Sequence, residues 1–413
     1  MQTVKIKLDP IDFFLKLEEE KNICFLKSSR KNGWATLIAF HPAETFSYRV
    51  GEENTFKSFL KRNTKKGRKL VGYFSYDIGY DLHGIRKTAR DDLQLPDIFF
   101  HAFDNYIIFK NQNAEIYYQD RRFPERVSEI SLREVPEIAP AKNRNFAPSI
   151  AKGQYEKAYQ KIKRYIIEGD IYQINLTHRL EARTTMPARN LFTEVIKKNP
   201  VDFLAYIEGE DFEVLSASPE RFVRVKDRKI ETCPIKGTRP RGKTQQQDRK
   251  NKKELLENKK EAAELNMITD LLRNDLGKVC EIGSVKVIGN RLISKCPTVW
   301  HTYSKITGKV AGEFTPVEAL ISMLPGGSIT GCPKKHAMEI IDELEPTTRS
   351  VYTGTIGCID PNLDLDFSIA IRTIIKKGAK LYLQVGGGIV YDSIEKAEFQ
   401  ETLDKAESFM EIL

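Results

Sequence analysis

The sequence predicts an α+β fold, and three observations carry that expectation. Runs rich in β-branched and aromatic residues follow one another, as in "INLTHRLEA", "FLAYIEG", "FEVLSAS" and "RFVRVKDRKIET" between residues 174 and 232. Segments with helical spacing stand apart from them: "QYEKAYQKIKRYIIEGD" puts Tyr155, Tyr159, Ile162 and Ile166 on one face and stops at Gly169. The regular strand and helix alternation of a parallel sheet is missing, so helices are expected to cover the faces of sheets.

In chain order, residues 1–133 read as mixed strands and loops, with "WATLIAF", "LVGYFSYDIGY" and "NYIIFK" as strands. The polar, proline-bearing residues 134–147 read as a linker, and 148–413 as a second region. There the strands quoted above lead into "ETCPIKGTRPRGK", so Lys236 lies where a strand leaves its sheet. A long helix is expected from about Gln247 to Lys278, then strands at "SVKVIG" and "VWHTYSKITGKV". A helix at "PVEALISML" precedes the glycine-rich turn "PGGSITGCPK", which opens another helix. "TGTIGCID", "LDFSIAIRTIIKK" and "KLYLQVGGGIV" read as strands. The closing helix carries Asp392 and Glu395 at capping-box spacing.

Composition narrows the function. A chain of 413 residues with 40% hydrophobic content suits two ordinary domains or one large enzyme domain. Its apolar runs fall short of a membrane span, and "MQTVKIKLDP" has no apolar export core, which predicts a cytoplasmic protein. Six scattered cysteines without a CxxC pair predict reduced thiols rather than disulfides or zinc. A net charge of +9 raises the question of nucleic acid, but the basic stretch at 226–260 is interleaved with Asp and Glu. With no stacking-aromatic or helix-turn-helix pattern, an anionic small substrate explains the local charge better.

Several residues could carry chemistry. Glu261 and Glu264 share a helix face with Leu265, Ile268, Leu271 and Leu272, so two carboxylates point toward the core side. Such a pair suits an oxygen-ligated Mg²⁺, or else sits at the wet edge of the stripe. Glu398 and Glu401 repeat the spacing, but the stripe Phe399, Leu403, Ala406 and Met410 runs on the opposite side and puts them in water. Gly386, Gly387 and Gly388 end a strand before a helix, where bare amides can hold an anion or simply turn the chain. Arg372, in an apolar strand, wants a carboxylate partner; Glu220 reads as a general acid or a surface glutamate, and His301 more often as a structural histidine.

Together these segments say more than each alone. "SPERF", "PIKGTRPRG", "KEAAELNMITDLLRNDLG", "VWHTYS", "PGGSITGCPKKHAMEIID", "YTGTIGCID", "DFSIAIRT" and "VGGGIVYDSIEKAEFQETLDKA" resemble, in order, the motifs of the chorismate-utilising enzymes. That family includes anthranilate synthase component I, aminodeoxychorismate synthase component I and the isochorismate synthases. The resemblance covers residues 148–413, and faintly the first 130 through "CFLKSS" and "VGYFSYD". It implies two facing β-sheets that form a sandwich core covered by helices, in α/β/β/α layers.

Within the family, lysine at 236 and the turn "PGGSITG" resemble the aminodeoxychorismate-forming branch, where anthranilate synthases typically have alanine and "PAGTVSG". The resemblance implies that Lys236 attacks the ring, Glu220 protonates the departing hydroxyl, and ammonia from a glutamine amidotransferase subunit displaces the lysine. An amine attacks only when neutral, so Lys236 has to shed its proton. Glu264 and Glu401 are implied as direct Mg²⁺ ligands with Glu261 and Glu398 supporting them. Gly237, Thr238, Tyr352, Arg372 and Gly386 to Gly388 are implied chorismate contacts. His301 matches a histidine associated with pyruvate elimination in the anthranilate branch. Asn266, Cys332 and Lys27 depart from the usual pattern, the last in a stretch linked to tryptophan binding.

Overall fold

A computed structural model describes residues 1–28, 34–53, 55–110, 112–137, 143–149, 152–296 and 299–412. Among them, strands assemble into one 12-stranded and one 10-stranded sheet, with every ladder between named strands antiparallel. Side-chain alternation explains the stacking. In strand Phe203–Glu208, Leu204 and Tyr206 face one apolar cluster, and Ala205 and Ile207 face another. In strand Cys24–Lys27, Phe25 faces the first cluster, and Cys24 and Leu26 the second. That second cluster also takes Val71, Tyr73, Phe99 and Phe103 from the smaller sheet, so it is the layer between the sheets.

Helices cover both outer faces. Pro10–Leu15, Phe123–Leu132 and Ala188–Lys198 supply Phe13, Phe14, Val127, Leu191 and Val195 to the outer core of the larger sheet. Lys152–Glu168, Lys259–Gly277 and Lys334–Leu344 supply Tyr159, Ile162, Ile268, Leu272 and Ile341 to a cluster with Leu70, Phe74 and Phe367 of the smaller sheet. The expected helix, sheet, sheet, helix layering is therefore present.

Several local expectations are corrected. The strands of residues 1–133 are shared between the two sheets: Cys24–Lys27 pairs with Phe203–Glu208, and Lys69–Phe74 with Thr355–Ile359. Of the expected linker, Asn143–Pro148 is a strand paired with Gln173–Thr184, while residues 138–142 lie outside the described residues. Helix Ala188–Lys198 was hidden among strand signals, although Ala188, Leu191, Phe192 and Val195 carry its spacing. The long helix is two, Gln245–Glu257 and Lys259–Gly277, because the Asn258 side chain accepts the Glu261 N–H and caps the second. The final helix, Glu395–Met410, starts at Ile394 without a side-chain cap, so the box at Asp392 does not form.

The most consequential correction concerns "LDFSIAIRTIIKK". It is two strands, Leu365–Ile369 in the smaller sheet and Thr373–Lys377 in the larger, with Ala370 to Arg372 crossing between them. Glu213–Ser218 and Arg221–Lys226 are split between the sheets in the same way, with Pro219 and Glu220 at the crossing. The two crossings are bonded side by side through Ile369 N–H to Glu220 O at 3.1 Å and Ala217 N–H to Arg372 O at 3.0 Å.

Candidate active site

Glu220 and Arg372 thus sit together where the chain leaves one sheet for the other. Arg372 holds φ +51 there, a conformation that a straight strand does not contain. Thr353 N–H donates to Ala370 O at 2.8 Å and fixes the turn that carries buried Tyr352 against the same crossing.

Lys236 comes from strand Ile235–Pro240. Lys236 opposes Thr302 and Thr238 opposes His301, leaving Gly237 as the extra residue of a bulge with φ +77. Glycine is needed on two counts: that φ, and a Cβ that would lie 2.9 Å from Glu261 Oε2. Beyond the bulge, Thr238 Oγ1 and His301 Nδ1 are 2.9 Å apart, and His301 is buried. Both neighbouring arginines are taken: Arg239 bonds Glu261 Oε1 at 2.8 Å, and Arg241 pairs with Asp248 and stacks on Trp300. Lys236 Nζ turns inward and lies 3.6 Å from where a Cβ on Gly388 would be.

Three carboxylates feel the charge of Lys236: Glu220, Glu264 and Glu401. Glu220 is 6% exposed, and burial pushes its carboxyl up to about 7 against the pull of Lys236, of the Ser328 hydroxyl at 3.1 Å and of the Ile235 backbone. Near neutral pH such a group has a proton to give. Burial likewise raises Glu264, with Glu398 and Glu401 adding to it and Lys236 and Lys260 opposing. For Glu401 burial is outweighed by Lys405 at 2.8 Å and by Lys236 and Lys260, which leaves it below the usual range.

The glutamates on the closing helix correct the periodicity argument. Its buried line is Glu398, Thr402, Ala406 and Phe409, so Glu398 lies inside, 3.6 Å from Lys260 Nζ. Met410, expected in the stripe, is 38% exposed. Glu401, one turn along, stays largely exposed, as expected. On the other helix Glu261 and Glu264 are half-buried beside buried Leu265 and Ile268, and Glu261 Oε2 is buried without a hydrogen-bond partner.

Gly386 to Gly388 do not turn the chain. They lie within strand Lys380–Ile389, opposite Thr177, Leu176 and Asn175. Pairing with Thr373–Lys377 ends at Leu383, so past that point the glycine segment is laddered on one edge only. A Cβ on Gly387 would lie 3.6 Å from Glu398 Oε2. The glycines therefore form a wall without side chains between Lys236 and the acidic helix.

Comparison with known proteins agrees with this arrangement. A family model described as chorismate binding enzyme matches residues 21–411. The chain belongs to that family. Its members act on chorismate, and so does this chain. It is 37% identical over 351 residues to aminodeoxychorismate synthase component 1 of Bacillus subtilis, covering 81% of this chain and 75% of that one. It is 41% identical over 363 residues to anthranilate synthase component 1 of Cereibacter sphaeroides, covering 82% and 72%. Anthranilate synthase component I from Streptococcus pneumoniae superposes with a TM-score of 0.82 at 28% identity, over 92% of this chain and 93% of that one. The match from residue 21 shows that the faint resemblance of the first 130 residues is part of the family fold.

For a chorismate binding enzyme, two further residues matter that the sequence did not single out. Ser328, in the quoted turn but given no role, is the hydroxyl on Glu220. Gln173 is 1% exposed, with Oε1 unpartnered and Nε2 3.0 Å from the Cβ position of Gly388. Its signal, a polar side chain beginning an apolar strand, is too common to stand out. Arg372 has no hydrogen bond or ion pair to its guanidinium among the described residues, and burial lowers its affinity for the proton. Arg372→Met is expected to leave Tm unchanged or higher and to raise the KM for chorismate about 10- to 100-fold, the worth of one charge-assisted pair. Steady-state kinetics beside a melting curve measure both.

Proposed function

We propose that this chain is the chorismate-aminating component of an aminodeoxychorismate synthase, making 4-amino-4-deoxychorismate for p-aminobenzoate and folate synthesis. One observation carries the reading. The side chain facing Glu220, Glu264 and Glu401 beside Gly388 is the amine of Lys236. Lys236 first gives up its proton to solvent; the neutral amine then bonds to ring C2 as the C4 hydroxyl leaves, and Glu220 supplies the proton that makes it water. The proton left on the new amine returns to Glu220. Ammonia then bonds to C4 as the C2–N bond breaks; Glu220 gives its proton to the departing lysine nitrogen and takes one from the new C4 ammonium, so neutral Lys236 is regenerated with the enolpyruvyl ether intact. Arg372 holds a substrate carboxylate, the glycine wall seats the ring, and Tyr352, Gly237 and Thr238 border it. His301, held by Thr238, orients that border. A glutamine amidotransferase subunit is the proposed source of ammonia, in keeping with relatives named as component 1.

The donor set suits Mg²⁺, since Glu261, Glu264, Glu398 and Glu401 offer hard carboxylate oxygens and one of those oxygens is buried without a partner. Among the described residues no three acidic or histidine side chains converge closely enough to chelate an ion, and Lys260 and Lys405 neutralise two of the glutamates. Glu264 and Glu401 would hold the ion directly, with Glu261 and Glu398 supporting them. Once bound, the ion would polarise the ring carboxylate of the substrate. Glu264→Gln is expected to raise the Mg²⁺ concentration for half-maximal activity at least 10-fold, and Glu257→Gln, an exposed control on the preceding helix, less than twofold. A Mg²⁺ titration of the rate distinguishes them.

The second reading, anthranilate synthase component I, has the 41% identical relative in its favour. Mass analysis of the products from chorismate, Mg²⁺ and ammonium separates the two. Aminodeoxychorismate without pyruvate supports the proposal, whereas anthranilate with pyruvate replaces it.

A further inference from the structure

Behind the site, fully buried at 1% exposure, lies Arg349. All five of its N–H donors are engaged. Nε and Nη2 bond both oxygens of Glu345 at 2.9 and 2.6 Å, and Nη2 also reaches Asn175 O at 2.6 Å. Nη1 donates to Ile329 O at 3.0 Å and to Thr353 Oγ1 at 3.5 Å. The guanidinium stacks on Tyr76, 4.6 Å from the ring centre. Glu345 Oε1 in turn accepts the Thr177 N–H at 3.0 Å.

These partners are the backs of three walls of the site. Ile329 follows Ser328, whose hydroxyl bonds the Glu220 carboxyl. Asn175 and Thr177 lie opposite Gly388 and Gly386. Thr353 follows Tyr352 and is bonded to the crossing that holds Arg372. Apolar replacement of a buried ion pair is often neutral for stability, so stability alone is a weak reason for a fully dry arginine here.

We infer that Arg349 and Glu345 are positioning residues for chorismate amination, a buried clamp that fixes the Ser328 turn, the glycine wall and the Tyr352 turn at one spacing. The inference rests on the role proposed for Glu220. It concerns the turnover step more than substrate capture, because Arg372 touches neither member of the pair.

The test is the double variant Arg349→Met/Glu345→Leu, which removes both charges, with Arg349→Lys as a conservative companion that keeps the charge but has three donors for five bonds. Tm and circular dichroism establish folding. In whichever variant folds, kcat is expected to fall 10- to 100-fold with KM for chorismate within about threefold. A second readout needs no turnover: the carboxyl infrared band that Glu220→Gln deletes reports the Glu220 titration. Lys236 is the charged group facing Glu220, and the variants leave it in place. Loss of the aligned Ser328 hydroxyl should move that titration upward, and adding Ser328→Ala should then move it no further. A folded variant with wild-type kcat and unchanged titration would overturn the inference. Failure of the wild-type enzyme to aminate chorismate would sink the proposed function instead, and the infrared titration would still decide the clamp.

Discussion

Lys236→Ala is expected to lower the rate of chorismate amination roughly 10³-fold or more, about 4 kcal/mol of barrier, while the protein stays folded. The rate falls because the substitution removes the proposed nucleophile, and ammonia alone then faces a poor leaving group. The fold survives because the side chain is half-buried, makes no hydrogen bond among the described residues, and belongs to none of the three apolar clusters. Glu220, Glu264 and Glu401 each lose a cation, so the variant should bind divalent ions no more weakly than the wild type. Single-turnover kinetics with ammonium and a melting curve check both halves. A variant that kept wild-type rates would remove covalent catalysis from the mechanism.

Glu220→Gln should cost about 10²- to 10⁴-fold in kcat, because the amide cannot give up a proton to the departing hydroxyl. Its effect on stability has a defined sign. The buried carboxyl keeps its proton to about 7, against an ordinary 4.5 in the unfolded chain. Between those values the folded state binds more protons than the unfolded one, so wild-type stability falls as pH rises from about 4.5 to about 7. The amide carries no such penalty. The variant should match the wild type near pH 4.5 and exceed it by on the order of 3 kcal/mol above pH 7. Denaturant melts of both proteins across that range measure the difference, and parallel pH curves would show that Glu220 does not titrate there.

Much of this site was legible in the sequence, for identifiable reasons. Lys236 stood out because a lysine between Ile235 and Gly237 adds a charge to a loop that already carries Arg239, Arg241 and Lys243; Gly237 came only with the motif "PIKGTRPRG", and the bulge that leaves no room for a Cβ shows only in the structure. Glu261 and Glu264 followed from helical periodicity. Glu398 did not, because its burial depends on Gly387 and Lys260, which are distant in sequence. The same limit hid the crossing at Arg372. "SIAIRTII" alternates as one strand would, and only the pairing of its two halves with different sheets shows the break. Asn258 is the opposite case, a local cap that was readable from the sequence but masked by continuous charge patterning on both sides. Arg349 could not be read at all, since five hydrogen bonds to four residues scattered along the chain define it.

The most direct measurement is the intact mass of the enzyme, rapidly quenched after mixing with chorismate and Mg²⁺ in the absence of ammonia. The account predicts a species heavier by chorismate less one water, with the added mass on the peptide that contains Lys236. No adduct at any quench time, followed by release of anthranilate and pyruvate when ammonium is added, would contradict it.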